Sequence, residues 1–501
     1  MPTMYDQLTI QILHINTIVN TIEVSIVYYI VLICWIAASL MRLLALRWSK
    51  KRFLLIDKTA QKFDTRSIAN SALEIRLNES KAPFFVVFIP LLREQPMILE
   101  IINHFEKIVH EEGRMTVALV TTNREDIEGL DEQKLTTSDV VSQSLLKLSH
   151  ISKKHIFKHY HTDGTDTCKG DQINQALKLF LAEFKCLKEQ EVYVGVYDAD
   201  SRPDPSTIIF LYDRIEDHFQ LHKNLPPAFQ QVPIYFNQMI PSWNMTRLFL
   251  NARVLHNLDF ALTREFPAMQ ASVDYQEYSG LKSLLTAWLT HLIGHGEFIH
   301  LPILSRIGFF RAPSADTSLG YVLTFLNIPI IPIPLFDVSE TPKNLWALVK
   351  QGAVWYRGVS LYWRDYHFSK TIGQPKKIRA MIMIIKVIYN NLAWSIFPLL
   401  VLISFSAALT SNSHPAHFLA TIGILIYLIP NLIQMIDYPE IQLNCSNFSE
   451  VPKLGFAYRM AMICIYPFTK LYAMLGPWLY YFRILKESLG LSASYQKTER
   501  T

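Results

Sequence analysis

Apolar and polar residues alternate along the chain in three regimes. From Val24 to Met41, 18 consecutive residues carry no charge, a length at the lower end for crossing a bilayer. The basic residues Arg42, Arg47, Lys50, Lys51 and Arg52 follow that run, and residues 1 to 23 contain no Lys or Arg. This is the reverse of a secretory signal peptide. The positive-inside rule predicts a span with its N-terminal end outside and everything after Arg42 cytoplasmic; a buried core helix is the competing reading. From Ser49 to about Ala380 charges recur as in a soluble domain. There Phe84–Pro90 (FFVVFIP) and Thr116–Val120 read as buried strands, and Met97–His110 and Asp171–Leu187 as helices. That alternation predicts an α/β fold with a mostly parallel sheet. A further strand in Glu191–Pro205 (EVYVGVYDADSRPDP), third or fourth in the sheet, ends on Asp198 and Asp200 before a proline-bounded turn.

After Gln374 the pattern changes again. Lys376, Lys377 and Arg379 flank an apolar region in which Leu392–Leu409 and Phe418–Ile436 are uncharged, joined by a polar loop at Ser411–His417. These read as two spans joined outside, with Pro430 tolerable because neighbouring helices re-satisfy freed backbone groups. Three spans that start outside finish inside, which places Asp437–Thr501 in the cytoplasm with Lys486, Lys497 and Arg500. The aromatic-rich stretch Leu454–Leu485, broken by Pro467, Lys470, Gly476 and Pro477, reads as one or two interfacial helices. A fourth span is the alternative; it would put the C-terminus outside and the sequon Asn447-Phe448-Ser449 within reach of glycosylation. The expected organisation is therefore a first segment and span over 1–48, a cytoplasmic domain over 49–375, two spans over 376–436 and interfacial helices with a tail over 437–501.

Composition agrees with a multi-pass membrane protein: of 501 residues half are hydrophobic and 18% charged. The net charge of +5 is too mild for a nucleic-acid partner; it suits membrane lipids or a phosphate-bearing substrate. Five cysteines without a CxxC pair give neither a zinc site nor a disulfide framework, which favours a reducing compartment.

Chemistry gathers at the end of the acidic strand. In open parallel sheets ligands collect at the carboxyl ends of strands. Asp198 and Asp200, one residue apart, can reach a single hard cation, and such an ion commonly bridges substrate phosphates. An acidic turn capping the next helix is the plainer alternative. Lys169, near a predicted helix N-terminus, adds positive charge where anions are already favoured.

The order of these features resembles membrane-anchored family 2 glycosyltransferases, the group containing cellulose, hyaluronan and chitin synthases and ceramide glucosyltransferase. The resemblance runs from Phe84 to about Gly358 and more loosely to the C-terminus. It rests on VVFIPLLREQ (86–95), KGDQINQAL (169–177), the Asp198-x-Asp200 strand, Gly294-His295-Gly296 followed by ADTSLG (315–320), QGAVWYRG (351–358) and YQKTER (495–500). It implies a GT-A type, Rossmann-like domain in which Pro90, Glu94, Lys169 and Asn174 line the nucleotide-sugar pocket and Asp198 and Asp200 hold Mn2+ or Mg2+. It further implies Asp316 as general base, and His295, Gln351, Trp355 and Arg357 near the acceptor and diphosphate. The chain departs from the pattern where the second strand lacks a terminal Asp, at Ala315 for the usual Glu, at Val354 for the usual Arg, and at Tyr495 for Trp. The implied activity is inverting transfer from a nucleotide-diphosphate sugar, a UDP-sugar first, to a lipid or glycan at the cytoplasmic membrane face. A processive polysaccharide synthase and a degenerate, non-catalytic nucleotide-sugar-binding protein are the alternatives.

Overall fold

In the computed structural model the described residues are 26–63, 83–108, 114–127, 135–147, 156–164, 168–185, 187, 191–237, 239–274, 280–446 and 449–490. The N-terminal 25 residues, Asn447 and Phe448 of the sequon, and the 495–500 motif lie outside them. The described residues begin with helix α1 (Ile26–Phe63) and continue through strand β1 (Phe84–Pro90), helix α2 (Ile98–Ile108), β2 (Met115–Thr122), α3 (Thr137–Lys147), β3 (Phe157–Thr162), α4 (Lys169–Glu183) and β4 (Val192–Val196). Next come β5 (Arg202–Pro203), α5 (Thr207–His222), β6 (Ala228–Asn237), α6 (Met245–Phe260), β7 (Glu297–His300), α7 (Ala315–Phe325) and β8 (Ile331–Glu340).

The eight strands form one sheet in the order β3-β2-β1-β4-β7-β6-β8-β5. β3, β2, β1 and β4 are mutually parallel, and β7 joins β4 antiparallel with Val196 opposite Glu297. Strand alternation divides the core. Phe85, Val87 and Ile89 of β1 face Ile98, Ile101 and Phe105 of α2, while Val86 and Phe88 face Ile173, Leu177 and Phe180 of α4. Because both faces are covered, β2 and β4 are buried along their whole length and β1 at all but its two end residues. The acidic strand is the fourth, in the middle of the sheet.

The C-terminal part is helical: α8 (Leu345–Val359), α9 (Tyr362–Ile372), α10 (Lys377–Ser395), α11 (Phe397–Thr410), α12 (His414–Cys445), α13 (Phe456–Ala473) and α14 (Leu475–Ser488). Among the described residues α1, over Tyr28–Lys50, and α12 are long and apolar enough to cross a membrane. The uncharged stretch Leu392–Leu409 lies across α10 and α11, which pass the same test only as a pair and are bent by 59°. Pro398 explains the break: it lacks an N–H and its ring crowds the carbonyl four residues back. Leu454–Leu485 holds α13 and α14.

Helices α1 and α12 lie side by side and run in the same direction. The Tyr29 and Ser413 hydroxyls meet at 2.8 Å at one end, Trp35 and Tyr427 have ring centroids 5.4 Å apart in the middle, and Lys50 pairs with Asp437 at 2.6 Å at the other.

Candidate active site

The site is built on the turn after β4. Asp198 N–H donates to Ser201 Oγ at 3.2 Å and Ser201 N–H to the Asp198 carbonyl at 3.1 Å. Arg202, buried, locks this turn: its Nη1 donates to the carbonyls of Ala199 and Ser201 at 3.0 and 2.8 Å, and Nη2 meets Glu100 at 2.7 Å. Asp200 is turned inward, only 4% exposed, and accepts from the Glu340 N–H at 3.3 Å. Asp198 is partly exposed and meets the Lys169 ammonium at 2.6 Å.

Lys169 is the first residue of α4, and its ammonium also donates to the Gly294 carbonyl. Burial works against its charge, but Asp198, Glu297 and Asp316 together hold its pKa above the ordinary lysine range. The start of α4 can come this close to α7 because Gly170 has no side chain: a Cβ there would fall 2.6 Å from that of Ala315. Asp316 lies in the first turn of α7, where helix dipoles favour a carboxylate. The helix begins at Ala315, so the capping position falls to Ser314, and Asp316 is not the cap. Ser314 Oγ donates to Asp316 Oδ1 at 3.2 Å.

Gly294 and Gly296 both have positive φ, at 87° and 68°. At Gly294 glycine is needed twice over, since a Cβ would also sit 2.5 Å from Asp316 Oδ2. Between them His295 is buried, and its Nδ1 lies 2.6 Å from Asp337 Oδ2. Burial disfavours the imidazolium, but the hydrogen bond and charge of Asp337, with Asp198 beyond, raise its pKa above the usual histidine value.

Residues the sequence reading passed over complete the edge. Glu297, opening β7 beside Val196, is 1% exposed with Oε2 unpartnered. Burial first, then the charge of Asp316, push it up to about 8, against the opposing pull of Lys169 and His295. An acid directly after Gly-His-Gly was the available signal. Tyr235 on β6 links two groups, with its ring 6.2 Å from both His295 and Trp355. Burial, then the charges of Glu265, Asp200 and Asp198, push its hydroxyl pKa well up.

The structure thus brings Asp198, Asp200, Lys169, His295 and Asp316 to one edge, with Trp355 reached through Tyr235. Pro90 ends β1 on the same edge, and Glu94 follows it, buried, with its N–H donating to Thr137 Oγ1 at 3.2 Å. Arg357 lies in the last turn of α8, whose Gly358 packs against Ser314. Gln351, one turn before Trp355, keeps Oε1 buried and without a hydrogen-bond partner. Asn174 is a latch: Nδ2 donates to the Phe310 carbonyl at 2.7 Å, and Oδ1 accepts from its N–H at 3.2 Å.

No protein-family model and no curated protein matches the chain. Among solved structures it is similar to a mannosyltransferase from Pyrobaculum calidifontis in complex with GDP-Man and Mn2+, with 13% identity, coverage of 91% of this chain and 99% of that one, and a TM-score of 0.46. It is also similar to residues 1–349 of TarS from S. aureus, with 11% identity, coverage of 77% and 90%, and a TM-score of 0.35.

Proposed function

We propose that this chain is a membrane-anchored glycosyltransferase that moves a sugar, with inversion, from a nucleotide-diphosphate sugar to a lipid or glycan acceptor. The observation that carries the reading is the meeting of Asp198 and Asp316 around Lys169 at the carboxyl end of β4, with Asp200 beside them. Lys169 provides a fixed positive charge where a diphosphate would lie. Asp316 takes the proton of the acceptor hydroxyl as its oxygen bonds to the anomeric carbon. The bond to the diphosphate breaks, and the leaving group keeps the electron pair. A single displacement inverts the configuration. Trp355 offers a ring face to the acceptor sugar.

Among the described residues no cluster of three or more His, Cys, Asp or Glu is placed to hold a metal. The pair Asp198 and Asp200 still fits Mg2+ or Mn2+, since such ions take one or two carboxylates and complete their shell from water and substrate phosphates. When bound there, the ion would neutralise charge on the departing diphosphate.

The parallel course of α1 and α12 supports the membrane arrangement. Two helices that cross in the same sense need a return crossing between them, which the bent pair α10–α11 supplies. Arg42, Arg47, Lys50, Lys51 and Arg52, which follow the uncharged run within α1, support a cytoplasmic globular domain.

The test is transfer from a panel of nucleotide sugars, UDP-sugars first, by detergent-solubilised protein with Mn2+ or Mg2+. Asp200→Asn and Asp316→Asn should each lower turnover by about 100-fold or more. Donor binding without turnover under every condition would overturn the reading.

A further inference from the structure

Four basic side chains from separate parts of the chain meet where α1 and α12 reach the globular domain. Arg42 lies one residue beyond the uncharged run of α1, Arg253 is on α6, Arg264 on the π-helical turn Ala261–Glu265 that follows it, and Lys470 on α13. Burial first, then the charges of Arg42, Arg253 and Arg264, pull the Lys470 pKa well below the ordinary lysine range, against the opposing charge of Asp259. Two carboxylates stand against them among the described residues. Asp259 is shared by Arg42 Nη2 at 2.8 Å, the Tyr466 hydroxyl at 3.0 Å and Gln434 Nε2 at 3.5 Å. Glu265 meets His291 Nε2 at 3.2 Å.

Arg253 is paired with neither. Its residue is only 4% exposed, and Nε and Nη1 have no hydrogen-bond partner. Burial pulls its pKa down to about 10, against the opposing influence of Tyr466 and Tyr235. Arg42 Nε is also a buried donor without a partner, as is Asn431 Nδ2 on α12. A buried guanidinium lacking a counter-charge is costly, and so is each unsatisfied buried donor. An anion with several acceptor oxygens would satisfy both deficits.

We propose that this cluster binds the phosphate of a lipid that enters beside α1, α12 and α13, with Arg253 as the principal ligand and Lys470 and Arg264 completing the site. A lipid is favoured over a soluble phosphate because α1 and α12 are, among the described residues, long and apolar enough to cross a membrane, and Arg42 marks the end of the apolar run. Tyr235 lies between the cluster and the acidic edge, with its ring centroid 6.2 Å from that of His295 on one side and Arg253 nearby on the other. As an acceptor anchor the site rests on the glycosyltransferase reading; as a binding site it does not.

The experiment is native mass spectrometry of the full chain in detergent micelles with geranylgeranyl monophosphate, with geranylgeraniol, and with inorganic phosphate as competitor. The monophosphate should bind at least tenfold more tightly than the alcohol, about 1.4 kcal/mol, and millimolar phosphate should not displace it. Arg253→Met and Lys470→Met should each weaken the monophosphate at least tenfold. Free of ligand, Arg253→Met should melt no lower than the parent, because it removes an uncompensated buried charge. Equal binding of alcohol and monophosphate, or undiminished affinity in Arg253→Met, overturns the proposal. Displacement by inorganic phosphate overturns the lipid as its source. If Arg253→Met fails to fold, that contradicts the uncompensated charge, and Lys470→Met then decides the phosphate site. No readout requires turnover, so a chain that binds the lipid phosphate but transfers no sugar sinks the catalytic reading alone.

Discussion

Glu297 shows how neighbours three segments apart set the chemistry of one side chain. Its carboxyl is buried beside Asp316 and is pushed up to about 8, so the folded chain holds a proton that the unfolded chain has released above the ordinary glutamate range. Stability linked to this group is present at low pH and is lost as pH rises toward 8. Melting curves should therefore fall between pH 5 and pH 9 more steeply for the parent than for Glu297→Gln, and parallel curves would refute the assignment. Gly294→Ala is the second test at this scale. With φ at 87° and Asp316 Oδ2 only 2.5 Å from the new Cβ, it should cost about 1 kcal/mol or more and displace Asp316. Turnover should drop more than donor binding; equal loss of both would point to general misfolding. Asp198, Asp200, Lys169 and Asp316 were legible because each stands in a short local motif. Glu297 carried only the weak signal of an acid after Gly-His-Gly, because its unusual proton affinity arises only once β7 lies beside β4 and Asp316 stands near it.

Elements succeed or fail on close approach. Helix α8, which carries Gln351 and Trp355, crosses α14 at Gly352 and Gly476; a Cβ on Gly476 would lie 2.8 Å from the Gly352 carbonyl carbon. Two glycines let the backbones touch, the usual device for tight helix pairs near membranes. Gly476→Val should cost about 1–3 kcal/mol through overpacking and lower activity by tilting α8; an unchanged melting temperature would contradict the crossing. The crossing was invisible in sequence because Gly476 reads first as a helix breaker beside Pro477. Strand β3 (FKHYHT) escaped the sequence reading for a different reason. Its Lys and His residues give no apolar run, and it forms because β2 offers an edge to pair with, with Phe157, Tyr160 and Thr162 turned inward.

Across the whole molecule, the central sheet and its acidic edge were readable from alternating strand and helix patterns, and the basic cluster was not. Arg42, Arg253, Arg264 and Lys470 are spread over more than 400 positions and carry no shared motif. The paired ends of α1 and α12 make the membrane arrangement testable. Ser413→Cys should react with a membrane-impermeant maleimide from the side opposite Lys50 and Asp437 in sealed vesicles. Labelling of Ser413→Cys and Asp437→Cys from the same side would contradict it. In the proposed reaction Asp316 drives a single displacement on a sugar held at the Asp198 and Asp200 edge. The most direct measurement is the anomeric configuration of the product, by proton NMR on the first turnovers with the donor that supports transfer. Configuration opposite to the donor, with no product from Asp316→Asn, is the predicted result. A retained configuration, or product formed at the parent rate by Asp316→Asn, would rule out that single displacement.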